Sequence, residues 1–341
     1  MRRFCCILLF LLPFSLVKAE DVTIGSVDEF RAFATDVNGG NSYAGVIVRL
    51  TASLDLSGVE WIPIGTVGNP FNGTFDGMGH WVSNLTVNVA GSITGDVAGL
   101  FGCIGTEGIV KRVGVRSGSI HISSKSQTYV NCYVGGIVGL NQGHVLQCAN
   151  FAMAIGNWTM ANVGGIAGAN GNIGGGTTTA TIENCYNRGD VFTTTTSVSD
   201  GNYLGGIVGN TDGTVRYVYS YATVSSAAHQ GGVCGESTGT VEHAYATNDM
   251  EGYALDGQLN TQGDYSIWTF TEDELPELAC MPFSPQGDIN LNGTVDIADL
   301  TLLVNMFLGN EPLNYKADVD GDNDITTADI MMLADIILKK N

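Results

Sequence analysis

Short apolar and glycine-rich blocks recur between residues 90 and 250, with polar turns between them. Five hexads share one pattern: VAGLFG (97–102), VGGIVG (134–139), VGGIAG (163–168), LGGIVG (204–209) and QGGVCG (230–235). Each is followed by a related octad: GIVKRVGV (108–115), GHVLQCAN (143–150), ATIENCYN (180–187), GTVRYVYS (213–220) and GTVEHAYA (239–246). Blocks this short and this rich in β-branched residues predict strands rather than helices.

The recurrence predicts a stacked array in which each repeat adds strands beside those of the repeat before it. The third and sixth positions of each octad are mostly apolar, as Val145 and Cys148 illustrate. A spacing of three does not fit a flat strand, whose side chains alternate with a period of two, so we expect a bend or bulge inside the octad. Loops of unequal length, such as residues 171–181 and 189–202, predict insertions on the sides of the stack.

Helical patterns occur only near the two ends of the folded chain. Residues 26–38 form an amphipathic pattern with Ser26 as N-cap and Glu29 as its capping-box partner. Two C-terminal segments present apolar faces at an offset of 30 residues: Leu300, Leu303, Val304, Phe307 and Leu308, then Ile330, Leu333, Ala334, Ile337 and Leu338. Gly309 is placed to end the first of these helices.

The N-terminal residues 1–19 have the pattern of a secretory signal peptide, with Arg2 and Arg3 before an apolar run and Ala19 at the expected cleavage position. The run is too short to span a bilayer, so we expect an exported protein without membrane insertion, secreted or at the cell surface. The net charge of −20 argues against a nucleic-acid partner, because phosphates require Lys and Arg.

Six cysteines follow the predicted signal peptide: Cys103, Cys132, Cys148, Cys185, Cys234 and Cys280. None forms a C-x-x-C motif, which argues against a structural zinc site. We expect most of them to be small buried residues, and nothing in their spacing predicts a disulfide.

The hexads resemble the GLUG repeats of bacterial surface proteins. The segment 61–87 is similar to the block that precedes such repeats, and 265–278 is similar to their closing element. The resemblance implies an all-β, right-handed parallel β-helix of the pectin-lyase type over about residues 20–282. The expected division is a signal peptide (1–19), an N-terminal cap with the first coils (20–90), repeats (91–252), a closing element with a linker (253–282), and a small helical domain (283–341).

Evidence for catalysis in the repeats is weak. Their acidic residues are sparse and do not recur at one repeat position, and H-E-x-x-H is absent. We therefore predict no catalytic residues and no organic cofactor, and leave the question of enzymatic activity open. Of the tryptophans, Trp61, Trp81 and Trp268 are expected to be buried, whereas Trp158 is expected in an exposed loop.

The chain ends with two stretches of matching spacing, GDINLNGTVDIADL (287–300) and ADVDGDNDITTADI (317–330). Oxygen-bearing side chains at alternate positions, a bend and a carboxylate at position 12 are the pattern of a calcium loop. The predicted ligands of two Ca²⁺ ions are Asp288, Asn290, Asn292, Thr294, Asp296 and Asp299, then Asp318, Asp320, Asp322, Asp324, Thr326 and Asp329. Without metal, the carboxylates of these two loops should repel one another and oppose folding of this segment.

Two loops with Asp at position 12 and exit helices, over residues 286–340, resemble a type I dockerin. The resemblance implies a cohesin-type partner, contacted through positions 10 and 11, here Ile297, Ala298, Thr327 and Ala328. The two pairs differ, which argues against two equivalent binding orientations.

Three functions remain as hypotheses. The first is a non-catalytic, adhesin-like protein whose dockerin docks on a cohesin and whose β-helix binds a host or glycan ligand. The second is a divergent β-helical polysaccharide lyase or hydrolase within a polysaccharide-degrading complex. In the third, the calcium loops only stabilise the chain end and bind no partner.

Overall fold

A computed structural model describes residues 21–90, 96–123, 131–157, 160–172, 178–193, 201–225, 229–246, 259, 266–270, 275–281, 287–290, 295–311, 317, 319 and 324–339. The predicted signal peptide and Trp158 lie outside these residues.

Thirty strands and three helices are described, numbered in chain order. The first strands are β1 Val22–Ile24, β2 Ile47–Leu50, β3 Leu54–Asp55, β4 Thr74–Asp76, β5 Trp81–Ser83, β6 Leu85–Ala90, β7 Val97–Ala98, β8 Phe101–Ile104, β9 Ile109–Lys111, β10 Gly114–Val115, β11 Gly118–Ser123, β12 Cys132–Gly135, β13 Val138–Asn141, β14 His144–Leu146 and β15 Ala149–Asn150. The others are β16 Met153–Asn157, β17 Ala161–Gly164, β18 Ala167–Asn170, β19 Thr181–Glu183, β20 Tyr186–Asn187, β21 Val191–Thr193, β22 Tyr203–Gly205, β23 Val208–Thr211, β24 Thr214–Ser220, β25 Val224–Ser225, β26 His229–Gly231, β27 Cys234–Ser237, β28 Thr240–Ala246, β29 Trp268–Thr269 and β30 Glu277–Leu278. The helices are α1 Val27–Asn38, α2 Ile297–Phe307 and α3 Thr327–Lys339.

Strands β1 to β28 form four parallel sheets, which we call the parallel-sheet region (Val22–Ala246). Three sheets have five strands each, in the orders β25-β21-β16-β11-β6, β26-β22-β17-β12-β7 and β27-β23-β18-β13-β8. The fourth runs β1-β2-β4-β9-β14-β19-β24-β20-β15-β10-β5-β3, with β28 beside β24. Equivalent residues of successive repeats pair in register, as the recurrence predicts. The fold is therefore mostly parallel β, with a helical region at the C-terminus.

Apolar residues at the third octad position build one row of the core. Val110, Val145, Ile182 and Val215 pair strand to strand and are fully buried. The fifth member of the row, Val241, is 40% exposed because β28 pairs only with β24 among the described strands.

The bend predicted inside the octad lies at its fifth position. That residue has a positive φ in all five repeats: Arg112, Gln147, Asn184, Tyr217 and His243, with φ between 49° and 53°. This residue lies between two short strands in the first three repeats and within one strand, β24 or β28, in the last two. Its left-handed conformation turns the chain, so both apolar positions can face inward although they are three residues apart. The expectation of a bend is thus confirmed.

The hexads require glycine because the next repeat lies against them. A Cβ atom on Gly165 would lie 2.1 Å from Cγ of Asn187 and 2.4 Å from the Gly206 carbonyl oxygen. Asn187 belongs to a buried row of amides, in which Asn150 donates a 2.9 Å hydrogen bond to it. Any larger residue at Gly165 would separate the repeats.

Helix α1 covers the first strands, as expected for a cap. Ser26 accepts a hydrogen bond from the Glu29 amide at 3.3 Å, which confirms the N-cap. The second hydrogen bond of the predicted capping box has a different donor: the Glu29 carboxylate accepts from the Gly25 amide at 2.8 Å. Phe30 and Phe33 are buried, and Phe30 stacks on Trp61 at 4.5 Å between ring centroids.

Residues 266–270 and 275–281, the closing segment, cover a row of aromatic side chains on the largest sheet. Trp268 is buried against the stacked rings of Tyr186 and Tyr219 and donates a hydrogen bond to Asn184 at 3.2 Å. The Tyr219 hydroxyl lies 2.5 Å from the Pro276 carbonyl oxygen and also accepts from Arg188. Trp61, Trp81 and Trp268 are all buried, as predicted.

The six cysteines are free thiols in the described part of the chain. Cys103, Cys132, Cys148 and Cys185 are buried, which confirms the expectation for most of them, and Cys234 and Cys280 are half-buried. Burial raises the pKa of Cys103 to about 12, so this thiol stays protonated at neutral pH. Among the described residues, no helix combines the length and apolar character that crossing a bilayer requires.

The two stacked tyrosines offer a matched test of the closing segment. Both are fully buried, but among the described residues the Tyr186 hydroxyl has no hydrogen-bond partner. We expect Tyr219→Phe to lower the free energy of unfolding by about 1–3 kcal/mol, because it removes the buried hydrogen bonds of the Tyr219 hydroxyl with the Pro276 carbonyl and with Arg188. Tyr186→Phe should change it little. Urea unfolding measures both, and equal effects would contradict this role of the Tyr219 hydroxyl.

Candidate calcium loops and docking helices

The carboxylate at position 12 joins the two ends of the first loop. Asp299 is the third residue of α2 and is fully buried. One of its oxygens accepts from the Asn290 amide at 3.0 Å, and the other from the Asp296 amide at 2.9 Å. Asp296, the helix N-cap, accepts in turn from the Ala298 amide at 2.7 Å. This capping box fixes the carboxylate at the start of the helix.

The second loop repeats the arrangement. Asp329 is fully buried, and its oxygens accept from the Val319 and Thr326 amides, both at 2.7 Å. Thr326 replaces Asp296 as the residue that caps the helix, since its hydroxyl accepts from the Ala328 amide at 3.0 Å. Asp324, by contrast, is exposed. The two loops therefore share the same type of hydrogen bonds, although the distal donor is at position 3 in the first loop (Asn290) and at position 2 in the second (Val319).

Position 1 of the first loop contacts the parallel-sheet region. Asp288 is fully buried, and one of its oxygens lies 3.4 Å from a guanidinium nitrogen of Arg116. Arg116 follows β10, and its side chain is 7% exposed. No pattern in the sequence predicts this ion pair, because its members are 172 residues apart.

The described residues include the ends of both loops but not their centres. The predicted ligands Asn292, Thr294, Asp318, Asp320 and Asp322 lie outside them. Within the described part of the chain, no group of three His, Cys, Asp or Glu residues could hold a metal. Asp299 nevertheless fits a hard divalent cation: it is buried, and among the described residues it forms no ion pair. A buried carboxylate needs a compensating cation, and calcium prefers oxygen ligands.

The four residues predicted to contact a partner lie at the starts of the two helices. Ile297, Ala298 and Thr327 are exposed, and Ala328 is half-buried. Three more large apolar residues, outside positions 10 and 11, are as exposed as Ile297: Leu308, which follows α2, and Met331 and Leu338 of α3. The exposed fractions of these four side chains are 63–73%.

The predicted apolar face of α2 is rotated relative to the observed one. Asp299, Leu303 and Met306 are buried, whereas Phe307 and Leu308 are exposed. The position-12 carboxylate must point into its loop, and residues four and seven positions later share its face of the helix. In α3, Asp329 and Leu333 are buried and Leu338 is exposed for the same reason. Gly309 has φ +76° just after the helix, as predicted.

Several acids in the parallel-sheet region are held in ion pairs. Burial opposes ionisation of Asp76, but hydrogen bonds from Arg112 hold the pKa of this carboxyl below its ordinary value. Glu183 accepts from Arg216 at 2.8 Å. These carboxylates support the stacking of neighbouring repeats.

Comparison with known proteins identifies the C-terminal region. Residues 286–338 match the model of the dockerin type I domain family. This part of the chain is therefore a type I dockerin domain: such domains bind calcium, dock on a cohesin partner and are typical of secreted or cell-surface proteins.

Two other proteins are similar to this chain over part of its length. A "Putative Gly-rich membrane protein" of Evansella cellulosilytica is 32% identical over 96 residues, which is 28% of this chain and 10% of that protein. A solved structure titled as a putative immunoglobulin A1 protease from Bacteroides ovatus is 19% identical, with a TM-score of 0.49 over 76% of this chain and 92% of the other.

The role of Asp299 as a metal ligand is testable with Asp299→Asn, which keeps an acceptor for the helix cap but removes the charge. We expect the full mature chain to bind two calcium ions and the variant to bind one, as counted by calorimetric titration. The control is Asp335→Asn, which removes an exposed carboxylate paired with Lys339. Two ions bound by Asp299→Asn with unchanged affinity would contradict the assignment.

Proposed function

We propose that this protein is an exported, non-catalytic, adhesin-like binding protein. Its parallel-sheet region is a right-handed β-helix of the GLUG type that presents a ligand-binding surface. Its dockerin, loaded with two calcium ions through the loop residues named above, attaches that region to a cohesin-bearing protein at the cell surface or in a secreted complex. The dockerin match over residues 286–338 is the observation that carries the proposal.

The architecture is supported by the order of the strands. Each five-stranded sheet takes one strand from each successive repeat, and the octad rows pair in register across the largest sheet. A chain that returns to the same sheet once per repeat is what a β-helix requires. The duplicated helices are proposed to supply the docking surface, because both carry large exposed apolar side chains, Ile297 on α2 and Met331 and Leu338 on α3.

Docking is testable with charged substitutions on this surface. We expect Ile297→Glu and Met331→Glu, combined, to weaken binding to a purified type I cohesin by at least about tenfold, because a buried charge would face the partner. Ile62→Glu is a matched control, since Ile62 and Ile297 are both 67% exposed and Ile62 lies in the parallel-sheet region. Surface plasmon resonance in calcium measures the affinity.

Equal cohesin affinity of the wild type, the Ile297→Glu, Met331→Glu double variant and Ile62→Glu would contradict this docking surface. A protein that binds calcium but none of a panel of cohesins would instead support loops that only stabilise the chain end.

The ligand of the repeats is proposed to be a glycan, bound beside the last two of them. A cavity of about 660 Å³ lies there, lined by Arg188, Asp190, Tyr221 and Gln230 together with backbone of β26. Tyr221 is half-exposed and offers an aromatic face to a sugar ring, while the carboxylate and amide can bond hydroxyl groups. The volume is within the range of small-ligand sites.

Tyr221→Ala tests this assignment. We expect it to weaken glycan binding on an array of polyuronides, xylans and mucin glycans by about fivefold, through loss of the stacking surface. Met153→Ala, at an exposed residue that does not line the cavity, should have no effect. Binding unchanged by Tyr221→Ala would contradict the site, and glycan turnover that is lost in Asp190→Asn would favour the rival lyase or hydrolase.

A further inference from the structure

A buried ion pair connects the parallel-sheet region with the first calcium loop. Asp288 and Arg116 are separated by 3.4 Å, and water has almost no access to either side chain. Arg116 also lies over the ring of Trp81, with 5.9 Å from the guanidinium carbon to the ring centroid. The contact therefore takes place in a low-dielectric environment, where charges interact strongly.

The surroundings of Arg116 show that it needs this partner. The Arg116 side chain is only 7% exposed, so water compensates its charge poorly. Removing a carboxylate from beside a buried cation leaves its charge poorly compensated.

The chain itself keeps the loop near Arg116. Met281 is fully buried in the aromatic cluster that contains Trp81, and Asp288 is only seven positions farther along the chain. Even a fully extended chain of that length reaches only about 25 Å. The first loop therefore meets Arg116 at high effective concentration.

We propose that Arg116 competes with calcium for Asp288, so that the parallel-sheet region is an intramolecular antagonist of the first calcium loop. The inference rests on the calcium binding of the dockerin. A calcium ion binds carboxylate oxygens at 2.3–2.6 Å, which would place two positive charges close to the buried guanidinium. Each cation then weakens the binding of the other, by the reciprocity of linked equilibria.

Two consequences follow for the full chain. Because the guanidinium of Arg116 pairs with Asp288 of the first loop, this loop binds calcium more weakly than the second. Calcium binding at the first loop loosens the contact between the dockerin and the parallel-sheet region.

The test is a calcium titration of the chelator-stripped, full mature chain by calorimetry. Arg116→Gln should tighten the weaker of the two sites by about tenfold and leave the tighter site unchanged. Arg216→Gln removes the same charge from the parallel-sheet region but from a residue paired with Glu183, so it should leave both affinities as in the wild type. An unchanged or weakened weaker site in Arg116→Gln would overturn the proposal.

The wild-type protein supplies a second readout that needs no substitution at a buried position. Calcium should increase hydrogen exchange in peptides that contain Gly114–Arg116, since the first calcium loop is then released from Arg116. Unchanged or slower exchange there, at calcium concentrations that fill both sites, would also overturn the proposal. A chain that binds no calcium at all would show that the proposed function has failed, which is a different result from two sites unaffected by Arg116.

Discussion

The fold depends on one constraint: each repeat must lie in register on the one before it. In-register pairing places equivalent octad residues of successive repeats next to one another. Val145 therefore lies between Val110 and Ile182, and no gap opens in the core. The left-handed residue at the fifth octad position makes this possible, because it turns the chain between two inward-facing residues. The close approach at Gly165 holds successive repeats at the distance that strand pairing requires.

The C-terminal domain uses a different constraint, the position-12 carboxylate. Asp299 caps its loop through backbone amides, determines which face of α2 is buried and is also the proposed metal ligand. Because these three roles share one side chain, folding of the helix and binding of calcium are physically coupled. The same coupling in the second loop, through Asp329, explains why the sequence repeats so closely.

Much of this was predictable from sequence wherever the signal was local and repeated. Five related octads made the apolar positions and the bend recognisable although single blocks differ. The doubled spacing of acids indicated calcium loops. The rotation of α2 was not predicted, since an apolar count places Phe307 and Leu308 inside, whereas the inward direction of Asp299 moves them outside. The pair of Arg116 and Asp288 could not be predicted either, because it depends on how two distant parts of the chain lie together.

Calcium in the two loops is proposed to enable attachment to a cohesin. The most direct measurement is the affinity of the full mature chain for a purified type I cohesin across a calcium series, from chelator to millimolar calcium. We expect the affinity to rise with calcium until both loops are filled, and binding to be abolished by chelator. Equally tight binding in chelator and in calcium, by a chain that still binds the metal, would contradict it.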